Sequence, residues 1–421
     1  MQLFQGKWDK DDSPTFAQFY LLAKVHKVPL KTRPIVSVSS CITEAIGKWV
    51  DVHLQNLFRH HRHCFPYFLK SSNELVAEIQ NMQVPFNACL FTCDAISMYT
   101  NIDTHHAFEV IEAFISSLPQ DDIHPGLLTG LKIVMLHCVF QFGSEYFVQL
   151  SGTAMGAPPA PMYATMYFAL HESIIMPNYA SNLLYYRRFI DDGLGIWLNT
   201  NDQTFEQFQT DMNQFGRLRW EFSTLQTTAD FLDVHLEIQN LRITTCMHEK
   251  ALNLYLYLPP HSAHPPGVLK SLIFGRLRQI HILCGEQEDK NKFIHLLFQR
   301  LLVRGYSADT LNPIFRDALS SINRPDLPRN NANMKKDLFL HVHYHPANPS
   351  SNDIQNIFYR TLVRGQDGFT CQHICNHEGN VFSTDRLIVA YHRPKNLGNR
   401  FSNRLLKFQR GVYGQFLFDN S

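Results

Sequence analysis

No part of this sequence is both apolar enough and long enough to cross a membrane. The longest weakly charged stretch, residues 156–170, is too short and too rich in proline to span a bilayer. The N-terminal residues MQLFQGKWDKDD contain no apolar core of a signal peptide. The 9 cysteines are scattered without a compact framework, which favours free thiols in a reducing compartment. We therefore expect a nuclear or cytoplasmic protein that is neither secreted nor embedded in a membrane.

The net charge is equally uninformative about a partner. A formal charge of +1 creates no global basic field, so a nucleic-acid site would have to come from local clusters of cations. No internal repeat and no low-complexity tract is visible. Of the 421 residues, 45% are hydrophobic and 18% are charged. This composition is typical of a folded chain, and the length suits about two to four domains or one multi-lobed enzyme.

Paired aspartates occur at three places, and only one pair is flanked by strand-like sequence. Asp11–Asp12 and Asp121–Asp122 lie in polar, proline-bounded segments, whereas Asp191–Asp192 joins two apolar stretches in YYRRFIDDGLGIW. Asp94 ends another apolar strand, CLFTCD. Neighbouring carboxylates repel each other unless a cation or a proton lies between them. Acids from adjacent strands can hold two divalent ions about 3.5–4 Å apart, and magnesium suits such an oxygen-rich site.

Local patterns predict the elements around these acids. Residues 14–40 favour a hairpin with a basic tip, and residues 87–102 a buried strand that leads into a turn. Residues 183–197 indicate two short strands joined at the acidic pair. The stretch ADFLDVHLEI (229–238) alternates polar and apolar residues as a strand does. From about residue 265 the spacing becomes helical, with Gly305 as a helix C-cap.

Five motifs, in this order, resemble those of Penelope-like element reverse transcriptases. They are LLAKVHKVPLKTRPIVS in the fingers, DAISMYTNI as motif A, GTAMGAPPAP as motif B, FIDD as motif C, and YLYLPPHSAHPPGVLKSLIFGRLRQI in the thumb, followed by YHRPKNL. The resemblance covers residues 18–400 or so and implies RNA-directed DNA synthesis by a retrotransposon enzyme. Nothing after YHRPKNL resembles the GIY-YIG endonuclease that many relatives carry, so we expect a reverse transcriptase without that nuclease.

The resemblance implies an α+β fold, a right-hand polymerase with fingers, a palm of antiparallel sheet plus helices, and a helical thumb. We expect fingers over residues 1–86, incomplete at the N-terminus when compared with relatives. The palm, with motifs A, B and C and some fingers elements, would occupy 87–245, the thumb 246–345, and a C-terminal extension 346–421.

The resemblance also assigns roles to individual residues. Asp94, Asp191 and Asp192 match the catalytic, metal-binding acids, which would hold two magnesium ions, with manganese as an alternative. The residues expected to bind the nucleotide are Lys24, Arg33, Tyr99, Gln149, Gly152 and Gly156. Tyr99 matches the steric gate, whose ring would collide with a ribose 2′-hydroxyl and so favour dNTPs. Arg276 and Arg278, on the predicted thumb helix, would bind the template RNA and DNA primer through their phosphates. The sequence does not reveal the oligomeric state.

Several alternatives stay open. The protein could extend ends by terminal transfer or telomere-like synthesis, or be a decayed or domesticated, catalytically inactive RNA-binding relative. No lysine follows the catalytic pair before Asp233, which leaves Lys250 as a weak candidate for the general acid of motif D. Cys371, His373, Cys375 and His377 are a possible zinc set, although strict alternation on one strand would spread them too far for a tetrahedron.

Overall fold

The structure is a computed structural model that describes residues 16–24, 29, 31–39, 41–119, 121–199, 202–250, 253–265, 267–322, 337–345, 347–358 and 386–392. The chain divides into two compact units. The first comprises Met1–Leu254 and Ile280–Phe293, and the second comprises Tyr255–Gln279 and Ile294–Ser421. Within the described ranges no helix is long and apolar enough to cross a membrane. The possible zinc set at 371–377 lies outside the described residues.

The described chain contains both strands and helices, and most of its strand pairs are antiparallel, as in an α+β protein. The strands are β1 (Ala17–Lys24), β2 (Lys31–Ser37), β3 (Ala88–Ala95), β4 (Val139–Phe142), β5 (Glu145–Val148), β6 (Leu183–Phe189), β7 (Asp192–Leu198), β8 (Trp220–Phe222), β9 (Thr228–Phe231), β10 (Val234–Gln239), β11 (Arg242–Met247), β12 (Asp337–His343) and β13 (Arg386–His392). The helices are α1 (Glu44–His60), α2 (Ser72–Ile79), α3 (Met98–Asn101), α4 (Thr104–Ser117), α5 (His124–Leu131), α6 (Ala160–Ile175), α7 (Asp202–Met212), α8 (Val268–Leu283), α9 (Gln287–Val303), α10 (Ala308–Ile322) and α11 (Ser351–Phe358).

An antiparallel sheet with the order β6-β7-β3-β8 forms the centre of the first unit. Side chains alternate across a strand, and Phe91, Cys93 and Ala95 of β3 all belong to the main hydrophobic core. The same core contains most of α6, whose residues are apolar and buried around much of its circumference, and Phe205 and Phe208 of α7. One face of the sheet is therefore sealed by helices, and Asp94 points to the opposite face.

Two further sheets complete the first unit. The sheet β2-β1-β4-β5 contains the predicted hairpin, in which β1 and β2 pair from Gln18 with Ser37 to Lys24 with Lys31. The sheet β11-β10-β9 corrects one prediction. The stretch 229–238 is not one strand, because Leu232 takes a left-handed φ of +55° and the chain reverses there, so that β9 and β10 pair with each other. Alternation continues through so tight a turn, and the sequence pattern alone does not reveal it.

The second unit is mainly helical in its described part. It contains most of α8 and α9, together with α10 and α11, and the parallel strand pair β12 and β13. The predicted C-cap is confirmed, since Gly305 has a φ of +98°, its amide donates to the Leu302 carbonyl and that of Tyr306 to the Leu301 carbonyl. These residues secure the end of α9.

Candidate active site

The three predicted catalytic acids converge at one end of the two central strands. Asp94 lies directly opposite Asp192 in the register of β3 and β7. Residues directly opposite in an antiparallel pair have their Cα atoms about 4.5–5.5 Å apart and side chains on the same face. Asp191 occupies the turn between β6 and β7, and its carbonyl accepts a 2.9 Å hydrogen bond from the amide of Ala95. Backbone pairing alone thus gathers the three carboxylates.

The acids influence each other electrostatically. The pKa of Asp192 is raised from 3.8 to about 6, first by burial and then by the charges of Asp191 and Asp94, while the Lys250 ammonium opposes the shift. A carboxylate whose pKa is raised by neighbouring carboxylates is typical of a site where cations bind. Lys250, the weak candidate for a general acid, is therefore close enough to affect this site.

The donor set fits magnesium bound together with a substrate. Within the described residues, no group of three or more His, Cys, Asp or Glu side chains is arranged so that it could by itself hold a metal ion. Magnesium is usually held by one or two carboxylates plus substrate phosphates and water, rather than by an all-protein cage. Asp94 and the Asp191–Asp192 pair supply carboxylates of this kind around a cleft of about 260 Å³ that Asp94 and Asp192 both line.

Tyr99, the predicted steric gate, lies on the short helix α3 beyond motif A. Ser97 precedes it with a left-handed φ of +46°, which turns the chain sharply after Asp94. The half-buried phenol has its pKa raised to about 12, mainly by burial and then by the charge of Asp191, whereas Arg33 lowers it. The ring is therefore within electrostatic reach of a predicted metal-binding acid and of a predicted triphosphate contact.

The two motif B glycines, Gly152 and Gly156, lie where their loop approaches neighbouring backbone closely. Gly152 has a φ of +81°, and a Cβ there would lie 2.7 Å from the Tyr99 carbonyl oxygen. Gly156 has a φ of +120°, and a Cβ there would lie 2.5 Å from the Val36 carbonyl oxygen. The amide of Thr153 donates to the Tyr99 carbonyl at 2.6 Å. Glycine is thus required because the loop packs against α3 on one side and β2 on the other.

Gln149 precedes this loop and has an unused acceptor. Its amide nitrogen Nε2 donates to the Ser151 carbonyl at 3.1 Å, whereas its Oε1 is buried without a hydrogen-bond partner. Gln149 also lines a mainly apolar cleft of about 350 Å³ together with Phe19, Val36 and Thr153. A buried acceptor without a donor is costly, and it suits a site completed by a bound molecule.

The β1–β2 hairpin presents cations on one face. Lys24 and Lys31 are directly opposite each other, and Arg33, two residues along β2, lies on the same face. Within the described residues, none of the three has an acidic partner within 4.0 Å. Like charges directly opposite are destabilising. An anion such as a triphosphate would relieve this repulsion, and Lys31 is a candidate for such a contact beside Lys24 and Arg33.

Arg276 and Arg278 lie on α8 as predicted but do not share a face. Two residues along a helix correspond to about 200° of rotation, which leaves the two side chains about 160° apart. Arg276 is half-buried and its Nη1 donates to Gln279 Oε1 at 2.6 Å, whereas Arg278 is exposed. One helix face therefore does not present both guanidiniums to the same nucleic-acid backbone. Arg278 is better placed than Arg276 to contact a partner from solvent, because it is the exposed one.

Sequence reasoning missed a buried ion pair behind the acids. Arg188 of β6 and Glu172 of α6 are joined by a 2.7 Å Nε–Oε1 contact, and neither side chain has any solvent exposure. A glutamate inside the apolar stretch FALHESII, and an arginine three residues before Asp191, were the available signals. Charged residues are almost never fully buried without a partner, so either one could have prompted a search for the other.

Comparisons with known proteins give a family match for one segment and structural matches for the fold. The family model of the animal helix-turn-helix domain matches residues 256–316. No curated protein matches the sequence. Telomerase from Candida albicans, solved with a fragment of telomeric RNA, superimposes with a TM-score of 0.53 at 10% identity, over 74% of this chain and 58% of that one. Telomerase from Candida tropicalis gives a TM-score of 0.44 at 10% identity, over 75% and 63% of the two chains. The RNA-dependent RNA polymerase of a human picobirnavirus gives 0.46 at 11% identity, over 73% and 60%.

The Candida albicans match assigns the architecture. The chain has the mixed α+β fold of a right-hand polymerase, as predicted from the sequence, and it spans 58% of the length of that telomerase chain. At 10% identity the likeness concerns the fold alone. The helix-turn-helix match falls within the predicted thumb, whose bounds, like those of the other domains, remain a prediction.

Proposed function

We propose that the protein is an RNA-directed DNA polymerase of a Penelope-like retroelement, which extends a DNA primer with dNTPs on an RNA template. The observation that carries this proposal is the convergence of Asp94, Asp191 and Asp192, with the pKa of Asp192 raised to about 6 by burial and by its neighbours. The polymerase fold and the order of the five motifs support it.

The three acids would hold two divalent ions. When bound, these ions would activate the primer 3′-hydroxyl and neutralise the pyrophosphate that leaves. The chain's own residues would do the rest. Lys24, Lys31 and Arg33 would bind the triphosphate by charge and by hydrogen bonds, and the Tyr99 ring would exclude a ribose 2′-hydroxyl.

The helical segment matched by the helix-turn-helix model would bind the template–primer duplex. Its contacts would be to phosphates, independent of sequence and weakened by salt. Arg278 is an exposed cation of α8 that could make such a contact. Template RNA, DNA primer and dNTPs are the partners that this proposal requires, and a nuclear or cytoplasmic location accords with it.

Primer extension tests the proposal. The purified protein would be given poly(rA) primed with oligo(dT) and dTTP, with magnesium and manganese in separate reactions. The test variant is Asp191→Ala with Asp192→Ala. The matched control is Asp121→Ala with Asp122→Ala, which removes the same charge from a pair that lies in a loop and at a surface cleft.

Synthesis by the wild type and the control, and none by the test variant, is the expected result. Equal synthesis by all three proteins would mean that the paired acids are not the metal site. A folded wild type that binds RNA and incorporates nothing with either metal would contradict the proposal, and would favour an inactive RNA-binding relative.

A further inference from the structure

The buried pair of Arg188 and Glu172 forms a fork that uses both carboxylate oxygens. Nε of Arg188 lies 2.7 Å from Oε1 and Nη2 lies 2.8 Å from Oε2. Tyr186 OH donates to the same Oε1 at 2.9 Å, and Nη2 of Arg188 also donates to the Thr165 carbonyl at 3.0 Å. Bidentate charged contacts of this kind fix the orientation of a guanidinium.

The remaining nitrogen of this guanidinium reaches the catalytic turn. Nη1 of Arg188 donates to the carbonyl of Ile190 at 2.6 Å. Ile190 immediately precedes Asp191 and has a left-handed φ of +52°. That conformation is a genuine outlier for a β-branched residue and persists only where the surroundings enforce it. The structure therefore contains a strained turn and a clamped donor that holds it.

The backbone of Arg188 is fixed as firmly as its side chain. Its amide donates to the Tyr67 carbonyl at 2.8 Å, and its carbonyl accepts from the Leu69 amide at 2.8 Å. The guanidinium also lies 5.2 Å from the centroid of the Phe168 ring. Arg188 therefore has little freedom to move, which is what a residue that positions another group requires.

We propose that Arg188, oriented by Glu172, is a positioning residue that holds the Ile190–Asp191 turn so that the carboxylates of Asp191 and Asp192 can bind metal together. The inference rests on the proposed function. Fold stability alone is a poor reason for such a pair, because replacing a buried ion pair by apolar residues of similar volume is often neutral or stabilising. Among the side-chain hydrogen bonds that the structure describes for Arg188, the one to the Ile190 carbonyl leads to the catalytic acids.

The other face of the same strand offers a matched control. Arg187 pairs with Glu78 at 2.9 Å, and Tyr185 OH donates to Glu78 Oε2 at 2.6 Å. This group repeats the tyrosine, glutamate and arginine of the first network. No hydrogen bond that the structure describes joins it to the Ile190 carbonyl, so it should report what loss of an ion pair does without loss of the turn.

The test compares two triple variants with the wild type. The first is Arg188→Met, Glu172→Leu and Tyr186→Phe, and the second is Arg187→Met, Glu78→Leu and Tyr185→Phe. Each is examined for Mn²⁺ affinity by titration calorimetry, for the Mg²⁺ half-saturation and kcat of primer extension, and for its urea unfolding midpoint. Calorimetry with Mn²⁺ alone requires no polymerase activity.

The first triple variant should unfold at nearly the wild-type urea concentration and bind Mn²⁺ about 10–100-fold more weakly, the range found for other groups that orient metal ligands. Its Mg²⁺ half-saturation should rise in parallel, whereas the second triple variant should match the wild type. Equal metal affinity in the two variants would overturn the inference.

Arg188→Lys tests the same inference if the first triple variant fails to fold. It keeps the buried charge and loses the fork and the donor to Ile190, so weaker metal binding is expected again, and wild-type binding would overturn the inference. A wild type that binds Mn²⁺ without polymerising would refute the proposed function only. A wild type that binds no Mn²⁺ would refute both.

Discussion

Asp192 should reduce the stability of the metal-free protein at neutral pH. Its pKa is raised from 3.8 to about 6, by burial first and then by Asp191 and Asp94, a shift of about 2 units. Each unit corresponds to about 1.4 kcal/mol between the charged and neutral forms. Ionised Asp192 therefore costs the folded state at most about 3 kcal/mol, and less than this because solvent screens the partly exposed carboxylate. Asp192→Asn, which has nearly the same shape without the charge, should recover much of that cost.

The direction with pH follows from the raised pKa. The carboxyl proton of Asp192 binds the folded protein more tightly than the unfolded chain, so its binding stabilises the fold. This stabilisation is fully present below pH 4 or so and is lost as the pH rises to about 6. The advantage of Asp192→Asn should accordingly be small at pH 4, grow between pH 4 and 6, and stay constant above.

Urea unfolding in EDTA, followed by tryptophan fluorescence from pH 4 to 8, measures this difference. Trp197 and Trp220 are buried in the core of the first unit and report on it. Asp122→Asn, in an exposed loop, is the control and should change little. An Asp192→Asn midpoint equal to the wild type at pH 8, or the same gain at pH 4 as at pH 8, would refute the reasoning. Added Mg²⁺ should narrow the gap, because a cation relieves the repulsion.

Three other predictions concern groups around the acids and on α8. Tyr99→Ala should raise rNTP use relative to dNTP use by about tenfold or more in single-nucleotide assays, and Tyr99→Phe should not. Gly152→Ala should lower the free energy of unfolding in urea by more than about 1 kcal/mol, because a Cβ at this φ of +81° would meet a carbonyl oxygen. Gly275→Ala, at an exposed helical site where a Cβ meets no other atom, should raise the free energy of unfolding by about 0.5–1 kcal/mol. Arg278→Ala should weaken binding of the protein to a primed template and reduce the salt dependence of that binding. Arg276→Ala, at a half-buried position, should have a smaller effect on both. Equal effects would contradict the prediction that the two arginines lie on different faces of α8.

Local sequence predicts those parts of the site that lie within a single segment. The two strands on either side of the acidic pair follow from apolar runs that end at charged residues, and the structure confirms them as β6 and β7. The β1–β2 hairpin and the cap at Gly305 are likewise set by residues close together in the chain. The α+β polymerase fold came from the resemblance of several motifs rather than from periodicity.

Contacts between distant segments were not predictable in this way. The sequence signals that Arg188 and Glu172 each need a partner, but it does not show that they meet, because it does not specify which face of a buried helix turns toward which strand. The same limit applies to the cross-strand repulsion between Lys24 and Lys31, which depends on register. The roles of the individual acids, the domain bounds and the Penelope-like identity remain predictions, and the experiments above would test the first of these.

The pairing of Asp94 with Asp192 also has a consequence for how the protein is made. The two strands are roughly 100 residues apart, so at about 5–20 residues per second a ribosome needs roughly 5–20 s to deliver the second after the first. During that interval the apolar strand β3, with the sequence ACLFTCDA, has no β7 to pair with. Sheets closed by such distant contacts form slowly and expose strand edges that aggregate. Newly made chains should therefore depend on chaperones, and refolding yields should fall steeply as protein concentration rises.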